Sequence, residues 1–213
     1  MTSTRSTPEE RAAQAALHVK NAALANIIRP LRTAQYEVDY EWHGIERMLD
    51  RFAEDYGHVD LDPDFQRGHV WTADQQRHFI ENVLRGVVAS SGFLIQFNCP
   101  NWESDDYRGD LPLGMQCIDG LQRITAVREF LAGRVRPFAL GIDDLAGSSF
   151  SVKSRYRFRV AIHNFSTRAD LLQHYLDLNA GGTPHSPDEI KRVQGLLAST
   201  RETDEERGEP PRP

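Results

Sequence analysis

Cysteines are scarce in this 213-residue sequence, and no long apolar run occurs in it. Cys99 and Cys117 form no CxxC pair, and neither stands beside a histidine at metal-ligand spacing. The sequence therefore excludes a disulfide scaffold and a structural zinc site, and we expect both thiols to be reduced and buried. No apolar segment approaches the roughly 18 residues of a transmembrane helix, and no signal-peptide core is present. We expect a cytoplasmic protein without membrane contact.

The sequence also lacks an excess of basic residues. It has 25 Lys and Arg against 31 Asp and Glu, which gives a net charge of -6. This balance disfavours DNA binding by overall charge, although it is compatible with a local basic patch. Hydrophobic residues make up only 39% of the chain, which favours a globular core with polar tails. GxSxG, Walker A, HExxH and HNH-like motifs are absent, so none of those sites is predicted.

Apolar spacing and capping residues predict a chain of mixed helices and strands. Helices are predicted over residues 7–29, 42–56, 73–85, 121–131, 168–180 and 186–198, and strands over residues 93–97, 135–140 and 153–162, with a further strand that ends at residues 117–118. We expect three regions: an N-terminal helical arm (1–37), a folded domain (38–198) and a disordered tail (199–213). The Ala-rich first helix either binds a protein partner or a second copy, or packs on its own domain.

The sharpest candidate site follows the strand that ends near residue 118. There Asp119-Gly120-Leu121-Gln122-Arg123 leads directly into a helix. A glycine lets the backbone approach a phosphate, and the free N–H groups of a first helical turn attract an anion. Arg123 can bind two phosphate oxygens, while Asp119 can hold Mg²⁺ or orient an attacking hydroxyl. The alternative is that Asp119 is the N-cap of an ordinary helix with Arg123 on its surface.

Three further segments carry weaker signals. Asp64-Phe65-Gln66-Arg67-Gly68, followed by Trp71, offers an amide and a guanidinium to a base edge or polyphosphate; alternatively its aromatic residues only anchor a turn. Asn179 to Pro184 is either a pocket lining or a helix C-cap. A basic strand face can contact DNA phosphates or simply face solvent, and its four cations are Lys153, Arg155, Arg157 and Arg159.

The order and spacing of these motifs resemble one family, over about residues 38–197. The pattern is similar to that of the N-terminal domain of GmrSD-type restriction systems, within the wider ParB/sulfiredoxin-like superfamily. It is carried by Phe65-Gln66-Arg67 and Trp71, by Asp119-Gly120-Leu121-Gln122-Arg123, and by Leu178-Asn179 with Gly182 and the segment from Ser186 to Ile190. The family usually has a polar residue where Leu121 stands.

This resemblance implies an α+β fold, in which helices surround a small mixed β-sheet. It also implies a nucleotide pocket formed by the first two motifs. Superfamily relatives bind or hydrolyse nucleoside triphosphates, some transfer the γ-phosphoryl group to a hydroxyl, and others are described as nucleases. Full restriction relatives carry a separate HNH-type nuclease domain, so we expect a compact free-standing member from a phage or mobile element, acting in bacterial or phage-infected host cytoplasm.

The function expected from the resemblance is phosphoryl transfer that uses Mg²⁺ and a nucleoside triphosphate, such as ATP. The acceptor is either water or a hydroxyl, for example that of a hydroxymethylated DNA base. We expect nucleotide contacts from Gln66, Arg67, Gly120, Gln122 and Arg123, with Asp119 as metal ligand. Catalytic candidates are Asp119, Arg123 and Asp64. The alternatives are a ParB-like DNA nuclease and a non-catalytic, nucleotide-gated module that binds DNA or protein.

Overall fold

A computed structural model describes residues 7–88, 93–104, 106–180 and 187–206. The chain divides into a first unit that ends at Arg32 and a second that begins at Thr33. The first unit contains helix α1 (Pro8–Ile28), none of whose residues is buried. Thr7 caps this helix by accepting a bond from the Glu10 N–H, and the Glu10 carboxylate accepts one from the Thr7 N–H. The predicted start of the first helix is therefore confirmed.

The second unit is built on one mixed five-stranded sheet. Its strands are β1 (Tyr36–Glu41), β2 (Val59–Asp60), β3 (Leu94–Asn98), β4 (Met115–Asp119) and β5 (Arg157–His163), in the order β1-β5-β3-β4-β2. The β1/β5 and β3/β4 pairs are antiparallel, whereas β3/β5 and β2/β4 are parallel. The expected α+β fold with a small mixed sheet is confirmed.

Helices of the second unit surround this sheet. They are α2 (Ile45–Tyr56), α3 (Ala73–Leu84), α4 (Leu121–Leu131), α5 (Ile142–Leu145), α6 (Val152–Arg155), α7 (Arg168–Ala180) and α8 (Pro187–Glu206). A short 3₁₀ turn, Trp42–Gly44, precedes α2, and a second one covers Pro137–Ala139. Within the described part of the chain, no helix combines the length and apolar character needed to cross a membrane.

Two apolar clusters cover the two faces of the sheet. Successive β4 residues point to opposite faces, and Cys117 lies in the first cluster while Ile118 lies in the second. The first cluster joins the sheet to α2, α3 and α4, and the second joins it to α7 and α8. The strand end at Asp119 is therefore held between two packed layers, which fixes the position of the candidate site beside it.

Several predicted boundaries are wrong. Residues 135–140 do not form a strand, because Phe138 (φ 50°) and Ala139 (φ 61°) have left-handed backbone conformations that no strand accommodates. The strand predicted over 153–162 begins only at Arg157, after α6. The last helix does not end at residue 198 but continues through Glu206, so residues 199–206 are not a disordered tail. Residues 207–213, and the predicted cap Ser186, lie outside the described residues.

Candidate functional site

The turn from β4 into α4 depends on a glycine. Gly120 has φ +105°, and a Cβ atom placed on it would lie 3.0 Å from the Ile95 Cα atom in the neighbouring strand. Both facts exclude a larger residue without strain. Gly120 is also the N-cap of α4, with no side-chain cap hydrogen bond. The alternative in which Asp119 is the N-cap is therefore wrong, because Asp119 still belongs to β4.

Gln66 joins the first motif to the end of β4. Its side-chain nitrogen, Nε2, donates to the carbonyl oxygens of Cys117 at 3.0 Å and Ile118 at 2.6 Å. Residues 64–71, which we call the QR loop, are thereby fixed beside residues 119–123, which we call the DG turn. The sequence-based expectation that these two segments lie together is confirmed, although more than fifty positions separate them.

Gln122 makes the same connection from the other side. Its Oε1 atom accepts bonds from the backbone N–H groups of Val70 and Trp71, each at 3.0 Å. Its Nε2 atom donates to the Gly68 carbonyl at 2.7 Å. Both ends of this amide are thus used to hold the QR loop. The structure gives Gln66 and Gln122 a positioning task that the sequence analysis did not anticipate.

Two aromatic residues anchor the QR loop on opposite faces of the sheet. Phe65 is buried in the second cluster and meets the Tyr175 ring edge-on, with 5.3 Å between ring centroids. Trp71 packs on the first cluster and lies 5.4 Å from the Phe79 ring. The interpretation that these rings anchor a turn is therefore confirmed. The loop passes from one face of the sheet to the other around the end of β4.

Arg192 of α8 binds the backbone of the QR loop. Its guanidinium donates to the carbonyl oxygens of Asp64, Phe65 and Gln66, the last two at 2.9 and 2.8 Å. These three carbonyls point in one direction and would otherwise face solvent or one another. Because a planar guanidinium presents several donors in a fixed fork, one side chain fixes the conformation of three successive residues.

Two more ion pairs connect α7 and α8 to this loop. Arg168 donates to the Asp64 carboxylate at 2.6 Å, and the Arg67 guanidinium lies 3.8 Å from the Glu189 carboxylate. Glu189 also accepts a long hydrogen bond, 3.5 Å, from the Tyr175 hydroxyl. Burial, with a smaller contribution from Glu189, raises the pKa of Tyr175 and keeps its phenol protonated as a donor.

Asp119 and Arg123 form an ion pair across the first turn of α4. The Arg123 side chain is 27% exposed and that of Asp119 is 39% exposed, so both remain accessible to a ligand. Arg67 and Arg123 thus each have a carboxylate partner, Glu189 and Asp119 respectively.

The DG turn is closed underneath by buried groups. Leu121 is only 7% exposed and belongs to the first cluster, which explains why this position is apolar here. Cys117 is buried below the turn, and burial, together with the Asp119 charge, raises the pKa of its thiol. It is therefore a protonated thiol at neutral pH and not a nucleophile of this site. Only the outer side of the DG turn can meet a ligand.

The four cations expected on one strand face do not share a face. Lys153 and Arg155 lie in α6, and only Arg157 and Arg159 belong to β5. Both strand arginines are paired with acids of the adjacent β1: Arg157 with Glu41 at 3.6 Å, and Arg159 with Asp39 at 3.0 Å and Glu37 at 3.6 Å. The cross-strand acids offset the charge of this surface.

Sequence analysis did not find Arg168 and Arg192, and it identified Glu189 only within the segment from Ser186 to Ile190, without a contact to the QR loop. These residues come from α7 and α8, and Arg168 lies 104 positions after its partner Asp64. Asn179 of the third motif donates to the Tyr175 carbonyl at 2.7 Å, as a residue near a helix C-terminus does. Gly181 to Pro184 lie outside the described residues.

A search of the described residues finds no group of three or more His, Cys, Asp and Glu side chains placed to share a metal ion. Asp119 is the accessible carboxylate of the DG turn. One carboxylate suffices for Mg²⁺ when nucleotide phosphates and water supply its other ligands. Asp119 is therefore the residue of the DG turn that can serve as a metal ligand.

The chain was compared with known proteins. The model of the GmrSD restriction endonuclease, N-terminal domain, matches residues 45–174, which is more than half of the 213 residues. The matched range contains the QR loop and the DG turn, whereas Arg192 and Glu189 lie beyond it. Searches of curated proteins and of solved structures returned no significant match.

Proposed function

Since the chain belongs to the family of the GmrSD restriction endonuclease N-terminal domain, we propose that the QR loop and the DG turn bind a nucleoside triphosphate. The bound nucleotide donates its γ-phosphoryl group in a DNA-related restriction or counter-restriction reaction. The observation that supports this most is the partly exposed Asp119–Arg123 pair at a helix start without a side-chain cap. Such a start offers backbone N–H groups to an anion.

Each residue of the DG turn has a part in this proposal. Arg123 leaves Asp119 and binds phosphate oxygens with its fork of N–H donors. Gly120 allows the tight turn from β4 into α4, because its left-handed conformation and its close approach to Ile95 exclude a side chain at this position. Arg67, whose guanidinium is 36% exposed, supplies a second cation from the QR loop. Gln66 and Gln122 act indirectly, because their amides hold the two segments together.

The proposed reaction needs positioning and charge neutralisation more than a strong base. Mg²⁺ on Asp119 would offset the charge of the phosphates. An oxygen of water or of a hydroxyl bonds to the γ-phosphorus while the bond to the bridging oxygen breaks, the nucleoside diphosphate leaves, and the proton of the attacking oxygen passes to solvent water. We assign no part in this step to Asp64, because Arg168 already occupies its carboxylate.

The acceptor separates two versions of the proposal. Water as acceptor gives a nucleoside triphosphatase, and a primary alcohol gives a kinase. A hydroxymethylated base in DNA carries such an alcohol and agrees with the DNA-related role of the family. A nuclease would need several carboxylates around its metal ions, and no such cluster occurs among the described residues.

One assay tests the proposal. The protein is incubated with Mg²⁺, γ-labelled ATP or GTP, and DNA with hydroxymethylated cytosine, beside the same DNA with unmodified cytosine. We expect released phosphate for a triphosphatase, or label on the modified DNA for a kinase. Strand cleavage without nucleotide would support the nuclease alternative and overturn the proposal. Nucleotide binding without turnover would leave only the nucleotide-gated binding module.

A further inference from the structure

A concave surface lies at β1, an edge strand of the sheet, and it shares no lining residue with the QR loop or the DG turn. It is a cleft of about 620 Å³ between β1, α2 and the segment after β3. Its lining combines aromatic, acidic and basic residues: Tyr36, Tyr40, Trp102, Asp39, Glu41, Asp55, Arg47 and Arg51, with Gly44 and Met48. Ligand pockets for nucleotide-sized molecules have volumes of this order.

Three aromatic rings form a continuous stack at this cleft. The Tyr56 and Trp102 rings are 4.8 Å apart with an interplanar angle of 23°. The Trp102 and Tyr36 rings follow at 5.6 Å and 30°. Tyr36 is the end member of the stack and is 46% exposed, which is unusual for a ring already packed on another. A further planar ring can therefore continue the stack from solvent.

The charges of the lining leave one cation without a partner. Each lining acid is already bound: Asp39 by Arg159 at 3.0 Å, Glu41 by Arg157 at 3.6 Å, and Asp55 by Arg51 at 3.3 Å. Arg47, by contrast, forms no ion pair with any residue in the described ranges 7–88, 93–104, 106–180 and 187–206. Among the described residues, Arg47 is thus the guanidinium of the lining that no acid occupies, and it can contact a phosphate.

From the ring stack and the unpaired guanidinium together, we propose that this cleft binds a nucleotide. Its base stacks on the aromatic edge formed by Tyr36 and Trp102, and its phosphate lies against Arg47. Base stacking on aromatic side chains and phosphate contact with arginine are the two interactions that bind unpaired nucleotides. Either a free mononucleotide or an unpaired nucleotide of a DNA strand offers this chemistry. The proposal does not depend on the reaction at the DG turn, since the two sites share no residue.

The test measures fluorescence polarisation of a labelled single strand of roughly ten thymidines or ten adenosines. Unlabelled dAMP and a duplex of the same length are the competitors. We expect Tyr36→Ala to weaken binding of the single strand about tenfold, and Tyr36→Phe to preserve it because the ring remains. Arg47→Gln should weaken binding several-fold and lower the slope of log affinity against log salt by about one.

Matched variants control for unspecific effects. Phe150 is also 46% exposed, so Phe150→Ala removes an equally accessible ring elsewhere, and Arg85→Gln removes an exposed guanidinium at the end of α3. Both should bind like the wild type. Displacement by dAMP identifies a free nucleotide as ligand, and displacement by single strands alone identifies an unpaired nucleotide in DNA. The proposal would be overturned if Tyr36→Ala and Arg47→Gln both bound the single strand with wild-type affinity. It would also be overturned if the wild-type protein bound neither the thymidine strand nor the adenosine strand.

Discussion

The side-chain oxygen of Gln122 accepts a hydrogen bond from the backbone N–H of Trp71 at 3.0 Å, although 51 positions separate the two residues. The same amide also binds the backbone of Gly68 and Val70. The QR loop has no regular secondary structure, and a side chain in the first turn of α4 supplies hydrogen bonds that fix its backbone. The two motifs identified in the sequence are held in contact by this amide and by Gln66, so each motif requires the other for its shape.

Gln122→Ala tests this dependence. The change removes three hydrogen bonds of a partly buried amide, and we expect the free energy of unfolding to fall by about 1–3 kcal/mol. Urea denaturation measures it. Gln194→Ala, at an exposed position of α8, should change stability by less than about 0.5 kcal/mol. Equal stability of the two variants would show that the amide of Gln122 does not hold the loop.

Arg192→Ala tests the connection from α8. Without the guanidinium, three carbonyls of residues 64–66 lose their common donor, and we expect the QR loop to open more often. Trypsin should then cleave after the exposed Arg67 roughly tenfold faster, as measured by mass spectrometry over time. Lys191→Ala removes a neighbouring exposed cation and one tryptic site without touching the loop, and its cleavage rate should match the wild type. Unchanged cleavage in Arg192→Ala would contradict the positioning role.

Gly120→Ala and Gly133→Ala form a matched pair. Both glycines have positive φ, +105° and +74°, so both alanines carry backbone strain. An added Cβ at Gly120 meets Ile95 backbone at 3.0 Å, whereas nothing lies within 4 Å of one at Gly133. We expect Gly133→Ala to cost about 1 kcal/mol and Gly120→Ala at least about 1 kcal/mol more, by thermal or urea unfolding. Equal losses would show that the close contact with β3 is unimportant.

The thiols give a prediction about pH. Burial raises the pKa of Cys99 to about 12 and also raises the pKa of Cys117. Alkylation requires the thiolate, and a raised pKa lowers its population at pH 8, so the native protein should resist iodoacetamide. The unfolded protein should react at both positions, faster at pH 9 than at pH 8. The intact mass of the protein after timed labelling measures the number of alkylated cysteines. Rapid alkylation of both cysteines in the native protein at pH 8 would contradict the prediction.

Much of the fold follows from local sequence signals. The capping boxes of α1 and α3 and the apolar spacing of α2 and α4 predict these helices within about three residues. The apolar positions of these periodic segments also predict a core, whose members are Ile45, Leu49, Phe79, Val83, Leu94, Ile118, Ile124, Val127, Phe158, Val160, Leu172 and Leu176. All of these side chains are buried except for the half-buried Phe79 and Leu94. These elements were predictable because their signals are periodic and local.

Other features were hidden because their causes are not local. In strand β1, tyrosine or valine residues alternate with acidic residues. The acidic residues form ion pairs with Arg157 and Arg159 of the adjacent strand β5, and this pairing cannot be deduced from the sequence of β1 alone. The role of Arg192 depends on three carbonyls that lie far away in the sequence. The position of the QR loop was predictable as a motif, but the use of its glutamine for internal hydrogen bonds was not.

The most direct test of the proposed function is a titration of the protein with ATP and Mg²⁺, and with GTP and Mg²⁺, by calorimetry. We predict that Arg123→Ala weakens nucleotide binding about 30-fold or more, whereas Asp119→Asn retains much of the binding but loses turnover. Arg128→Ala is the matched control, since Arg128 lies on the same helix and is also paired with an acid, Glu46. Wild-type affinity and turnover in Arg123→Ala would contradict the nucleotide site at the DG turn.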